Sequence, residues 1–175
     1  MHESLQAPGF YPGPVPTAPM SSRPGEGEAL WFLGTLATIR IPPEAVDGRF
    51  ALIEFVFPHH ASPPLHTHPQ DEGYVVLEGR LTLQAGDRRL DLREGDAAVV
   101  PMEVAHTFRV DSETARVLVL STPAGIEAFV RDAAVPASAP TLPPPDAPRP
   151  EPEEIERIFR AHGITTVGPP LEPQD

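Results

Sequence analysis

The sequence predicts an all-β domain of short strands, a jelly roll or small barrel, with one or two helices at its C-terminal end. Three observations point to it. Between residues 29 and 123, β-branched and aromatic residues recur in short runs with an apolar–polar alternation. Glycine-containing turns punctuate those runs. Prolines crowd the flanks, with six in residues 8–24 and eight in residues 136–152, and both stretches lack any helical or strand period. Such segments favour extended conformations and cannot bury enough surface to fold alone. Residues 1–28 therefore read as an arm and residues 136–150 as a linker.

The elements follow in chain order. "ALWFLGTLATIRI" (29–41) and "RFALIEFVF" (49–57) are strand-rich runs separated by "PPEAVDG". "YVVLEGRLTLQ" contains two strands joined at Glu78-Gly79, which reads as a hairpin because glycine readily takes a positive φ. "LQAGDRRLDL" gives a second hairpin signal at Gly86-Asp87, and "REGDAAVVP" turns at Gly95-Asp96. "AHTFRV", a turn at "DSET" and "ARVLVLSTP" complete about eight strands in the barrel at 29–123. Residues 124–135 read as a helix packed on that barrel, with Thr122 as N-cap, Pro123 in the first turn and Ile126, Phe129 and Val130 on one face. Residues 151–175 read as a second helix and a tail. Pro152 and the early glutamates suit the helix start, Arg157, Arg160 and His162 suit its negative end, and Gly163 ends it. Ile155, Ile158 and Phe159 form a narrow apolar stripe on this helix.

The bulk numbers exclude several functions. With 25 acidic and 13 basic residues the net charge is −12, which repels phosphate backbones and anionic lipid heads. No nucleic-acid or membrane partner is expected. The absence of cysteine removes disulfides, thiolate catalysis and Cys-ligated zinc. The first twenty residues lack a charged start and an apolar core, and no apolar run nears the ~20 residues of a membrane span. A cytoplasmic protein is expected, and exposed sheet edges with the proline-rich arm favour a homodimer.

The chemistry concentrates in "LHTHPQDEGYVVLEG" (65–79). Side chains alternate faces along a strand, so His66 and His68 point the same way and Thr67 the other. Pro69 ends regular pairing, and Glu72 opens the next strand, sharing a face with Tyr74 and Val76. His106 lies in a later strand, on the face of Phe108 and Val110. Should these faces be the barrel interior, three imidazoles and one carboxylate meet there. Such a donor set accepts one divalent transition metal: Fe, Mn, Ni, Cu, Co or Zn. Tyr74 and Phe108 flank the ligands and are read either as ordinary core or as the lining of a substrate pocket. Asp71 faces away from Glu72. His59 and His60 belong to the loop "FPHHASPP" and read as solvated, His162 reads as a dipole partner at its helix end, and His2 lies in the arm. Trp31 and Phe32 read as core or arm contacts.

These residues resemble the cupin superfamily. Its first motif, His-x-His, three or four residues, Glu, six residues, Gly, matches His66, His68, Glu72 and Gly79. Its second, Gly, five residues, Pro, then a His five positions on, matches Gly95, Pro101 and His106. Three positions depart from the pattern: His60 and Glu103 stand where the family has glycine, and Val110 where it often has asparagine. The resemblance implies a double-stranded β-helix with His66, His68, Glu72 and His106 as metal ligands. It looks most similar to single-domain members of the quercetin-2,3-dioxygenase-like type.

Three functions stay open at this point. A metal with free coordination positions could bind an enol or flavonol-like hydroxyl, with Glu72 as base and dioxygen as co-substrate. It could instead act as a Lewis acid in a non-redox isomerase, cyclase or lyase. The domain could also bind a small molecule without turnover.

Overall fold

A computed structural model describes residues 18–173; residues 1–17, which include His2 and most of the predicted arm, and residues 174–175 lie outside the described residues. Ten strands precede the first α-helix, with one 3-10 turn (Pro43–Val46) between the second and third: β1 (Glu28–Phe32), β2 (Thr35–Ile41), β3 (Ala51–Pro58), β4 (Leu65–Thr67), β5 (Asp71–Glu78), β6 (Arg80–Ala85), β7 (Arg88–Arg93), β8 (Ala97–Val100), β9 (His106–Val110) and β10 (Thr114–Thr122). Then come α1 (Ile126–Asp132), β11 (Ala134–Pro136), α2 (Pro152–Ala161) and β12 (Thr165–Gly168). Two antiparallel sheets result, in the orders β11-β1-β2-β3-β10-β5-β8 and β12-β4-β9-β6-β7. This is the jelly roll expected from the strand pattern, with both helices C-terminal to it.

Period-two burial builds the core. In β3, Ala51, Ile53, Phe55 and Phe57 are buried, and their odd-numbered counterparts Ala115, Val117 and Val119 in β10 join them. From the opposite sheet Leu81, Leu83 and Val110 pack against this layer. Each large apolar side chain so buried contributes about 1.5–3 kcal/mol.

The predicted hairpin at Glu78-Gly79 is not one. β5 pairs with β10 and β8, whereas β6 pairs with β7 and β9, so at Gly79 the chain crosses from one sheet to the other. The turn residue was recognised correctly, but a local turn signal carries no information on which strand becomes the partner. Gly79 has φ +83, and a Cβ there would lie 2.3 Å from the Thr114 carbonyl oxygen. Gly79→Ala should therefore cost about 2–4 kcal/mol, from the left-handed backbone plus the steric conflict. The midpoint of urea unfolding measures it. Gly86-Asp87 does form the predicted hairpin, with Ala85 opposite Arg88.

The helix start also differs from its prediction. Pairing with β5 continues through Thr122 opposite Asp71, so Thr122 ends a strand and its hydroxyl donates to the Arg49 carbonyl at 2.9 Å. Gly125 becomes the N-cap, its N–H donating to the Glu127 carboxylate at 2.7 Å. A Cβ on Gly125 would lie 2.5 Å from the Gln70 side-chain amide. α2 begins at Pro152 as the sequence suggests, and its last turn gives way to Gly163 at φ +68. His162 bonds Asp132 through Nε2 at 2.7 Å, tying the end of α2 to the end of α1.

The C-terminal segment reaches the histidines. β12 pairs with β4, placing Thr166 opposite His66, and the Glu172 carbonyl accepts from Arg109. This covers the outer face of β9, where Thr107 and Arg109 are buried although they point away from the core. The proline-rich stretch passes close by: the Trp31 indole, predicted in the core or against the arm, donates to the Thr141 carbonyl at 3.0 Å. No helix among the described residues is long and apolar enough to cross a membrane.

Candidate metal centre

Each histidine reaches the site for a local reason. β4 and β9 pair with His66 directly opposite His106, so two imidazoles stand side by side on the inner face of the second sheet. His68 follows one residue beyond β4 and is held by the Glu103 N–H, which donates to its carbonyl at 3.0 Å. From the first sheet, alternation turns Glu72, Tyr74 and Val76 inward along β5. The site therefore sits between the two sheets.

Ligand atoms of His66, His68 and His106 all lie within 4.8 Å of one another, the single such cluster among the described residues. His66 Nδ1 lies 2.8 Å from the Pro64 carbonyl and His106 Nδ1 2.8 Å from the Val104 carbonyl. A carbonyl only accepts, so each Nδ1 carries a proton and each ring turns its Nε2 inward, the atom a cation would take in place of a proton. His68 Nε2 is buried without a hydrogen-bond partner. A buried polar atom left so costs about 1–3 kcal/mol, a penalty a bound cation would remove. The three histidines can hold a metal ion, and the donor set fits one.

Glu72, expected from the sequence as a fourth ligand, lies beside the three-histidine cluster, with Oε2 at 3.3 Å from His106 Nε2 and 3.6 Å from His68 Nε2. The Tyr74 hydroxyl donates to the same oxygen. Burial alone would raise the Glu72 carboxyl, but the hydrogen bond with His106 and the nearby His68 and His106 imidazoles outweigh it and hold Glu72 ionised. Conversely, burial opposes protonation of His106, and the Glu72 carboxylate overcomes it and raises that imidazole. Tyr74 is pushed well above its ordinary value by burial and by the Glu72 charge.

Burial, reinforced by the neighbouring His106 charge, lowers His66 to about 4. Between pH 6.5 and about 4 the unfolded chain thus binds a proton that the folded chain refuses. Chelator-treated protein should lose roughly 2–3 kcal/mol of stability as the pH falls through that window. The raised His106 adds no slope there, since its contribution is complete below 6.5 and is lost only at higher pH. Glu72 acts below 4.5. Thermal melts at pH 7 and 4.5 test this, and His66→Asn should flatten the difference.

A cavity of about 520 Å³ opens from this cluster, within the size range of small-molecule sites. Tyr74 and Phe108 both line it, and Phe108 packs on Phe57 with ring centroids 4.8 Å apart. Phe32, read as core or an arm contact, lines it too, and the sequence reading overlooked Phe55, Phe129, Phe159 and Arg149. They come from five separate segments, and no local pattern announces their meeting. His59 and His60 are exposed at the rim, where His59 Nδ1 bonds the Ser112 carbonyl at 2.8 Å. Asp71, facing away, accepts from the Met102 N–H at 2.7 Å and so anchors the loop before His106.

Two of the three departures from the family motif fall at left-handed backbone positions. His60 has φ +62 and Glu103 φ +61, so both non-glycine residues hold the left-handed conformation that glycine would adopt freely.

Comparison with known proteins agrees with this architecture. The family model for the cupin domain matches residues 53–122. The chain is 30% identical over 106 residues to quercetin 2,3-dioxygenase of Bacillus subtilis, covering 60% of this chain and 32% of that protein. It is 41% identical over 56 residues to an uncharacterized protein of Streptomyces coelicolor, covering 32% of this chain and 53% of that one. The chain thus spans about a third and about half the length of these curated relatives. Among solved structures, it shares its fold with a predicted oxalate decarboxylase from Thermotoga maritima (TM-score 0.53, 16% identity, 59% of this chain and 98% of that one). An RmlC-like cupin from Shewanella frigidimarina is similar to the same degree (TM-score 0.52, 18% identity, 59% and 91%). Two spaced motifs, two facing antiparallel sheets and the matching domain model lead to one assignment: residues 53–122 form a cupin domain.

Proposed function

We propose that His66, His68, His106 and Glu72 hold one divalent transition metal, and that the chain is a metal-dependent dioxygenase acting on a small enol or flavonol-like substrate. The observation that carries this reading is the unpartnered, buried His68 Nε2 beside two imidazoles whose Nδ1 protons are committed to carbonyls. The aromatic cavity above them and the partial likeness to quercetin 2,3-dioxygenase support the substrate class.

When bound, the cation would supply Lewis-acid polarisation of a substrate oxygen and, if redox-active, electron exchange with dioxygen. The chain's own residues do the rest. Glu72, which lines the cavity, accepts the hydroxyl proton of the substrate. Tyr74 donates to Glu72 Oε2 and fixes the carboxylate's position. Phe57 and Phe108 hold the planar body and exclude water. The same Glu72–Tyr74 pair would also suit proton transfer without dioxygen, as in an isomerase, cyclase or lyase.

An oxygen-electrode assay with quercetin and the iron-, nickel- or manganese-loaded protein separates the two. Substrate-dependent oxygen uptake supports the dioxygenase. Turnover that persists anaerobically, or with zinc, transfers the assignment to the non-redox class. Tight binding of quercetin with no product from any metal form leaves a binding module.

A further inference from the structure

We propose that Arg149 is a specificity residue, and that it selects substrates bearing a carboxylate at the end remote from the histidines. Six of the eight phenylalanines of the chain line the one cavity: Phe32, Phe55, Phe57, Phe108, Phe129 and Phe159. Glu72, His66 and His68 line it from the histidine cluster, and His59 and His60 line its rim. Glu72 is level with Ala51 at the start of β3, through Ser121, whereas Gly34 precedes the β2 residues that pair with the far end of β3, where Leu36 meets Val56. Arg149 is the single lysine or arginine lining the cavity.

Arg149 is exposed at the mouth of the cavity, and three features mark its position there. It makes no hydrogen bond or ion pair with any described residue, although the protein carries 25 acidic side chains. It stands between Pro148 and Pro150, whose rings restrict the backbone on both sides, so the guanidinium is presented from a stiffened segment. It also lies over Gly34, at φ +89, where an added Cβ would come within 3.2 Å of the guanidinium. The bare face of Gly34 makes room for it.

A carboxylate meets little welcome elsewhere on a chain of net charge −12, and Arg149 supplies a local cation with a planar fork suited to two carboxylate oxygens. The substrate so selected has an aromatic body and two unlike ends. One end reaches the histidines, and the other pairs with a residue that lies outside the cupin domain match at 53–122.

This placement of the reacting end rests on the proposed metal site, but the role of Arg149 can be read without it. Calorimetry of para-hydroxycinnamate and para-hydroxycinnamamide, on chelator-treated and on zinc-loaded protein, compares an acid with its neutral isostere. The wild type should prefer the acid about fivefold, the scale of one partly solvated charge pair, and less so at high salt. Arg149→Gln should bring the ratio close to one, and Arg149→Lys should keep part of it. A ratio near one in the wild type, or a preference that Arg149→Gln retains, overturns the proposal. Failure of both compounds to bind at millimolar concentration overturns it as well. An acid preference that appears only with zinc and survives Arg149→Gln puts the carboxylate at the histidines, which refutes the role of Arg149 and leaves the metal site standing. Loss of zinc binding with a normal Arg149 effect does the reverse.

Discussion

His106→Ala is expected to purify nearly free of metal, where the wild-type chain retains about one equivalent. Removing one of three imidazoles should weaken binding by at least about 100-fold, since even partners behind the ligands are worth 10- to 100-fold. His106 is 2% exposed and pairs with Glu72, so its loss also strands a buried carboxylate. His106→Asn controls for that. Metal at about 100 times its Kd should stabilise the wild type by about 2.7 kcal/mol. For a chain of this size that is a rise of roughly 5–10 °C in Tm. Neither variant should show the rise. Plasma emission spectrometry and thermal melts with and without chelator measure both effects. His66→Ala and His68→Ala should behave alike, because the three nitrogens form one cluster within 4.8 Å.

Glu72→Gln should separate binding from chemistry. The amide keeps an oxygen for the Tyr74 hydroxyl and leaves the three imidazoles in place, so metal content should stay within about tenfold of the wild type in affinity. Turnover should fall by about 10²–10⁴, the usual contribution of a positioned base. Single-turnover kinetics of the fully metal-loaded variant give the measure. Normal turnover would remove Glu72 from the role of base while leaving it a ligand.

Much of this was legible because strand alternation is a strict physical code. His66 and His68 two apart, Glu72 and Tyr74 two apart, and His106 with Phe108 two apart each define a face. One buried face per sheet then brings them together. The C-terminal helix was legible from Pro152, its early glutamates and Gly163. What could not be read was partnership between distant segments. Gly79 and Gly95 announce turns, but whether the chain returns in the same sheet depends on packing that neither neighbour encodes. β11 and β12 are short and carry no apolar alternation, since their burial comes from covering other elements rather than from a face of their own. Phe129, Phe159 and Arg149 escaped for the same reason. Each looks like ordinary helix or linker chemistry until the chain folds back over the cavity. Thr122 is a competition misjudged in the sequence: a good capping residue, claimed by strand pairing through Asp71.

X-ray absorption spectroscopy of the protein loaded with one equivalent of nickel or cobalt addresses the metal centre without any substrate. Three imidazole rings at bonding distance, with the multiple-scattering pattern of histidine and one or more oxygen neighbours, is the predicted first shell. A shell of oxygens alone, or one that His66→Ala and His106→Ala leave unchanged, would contradict it.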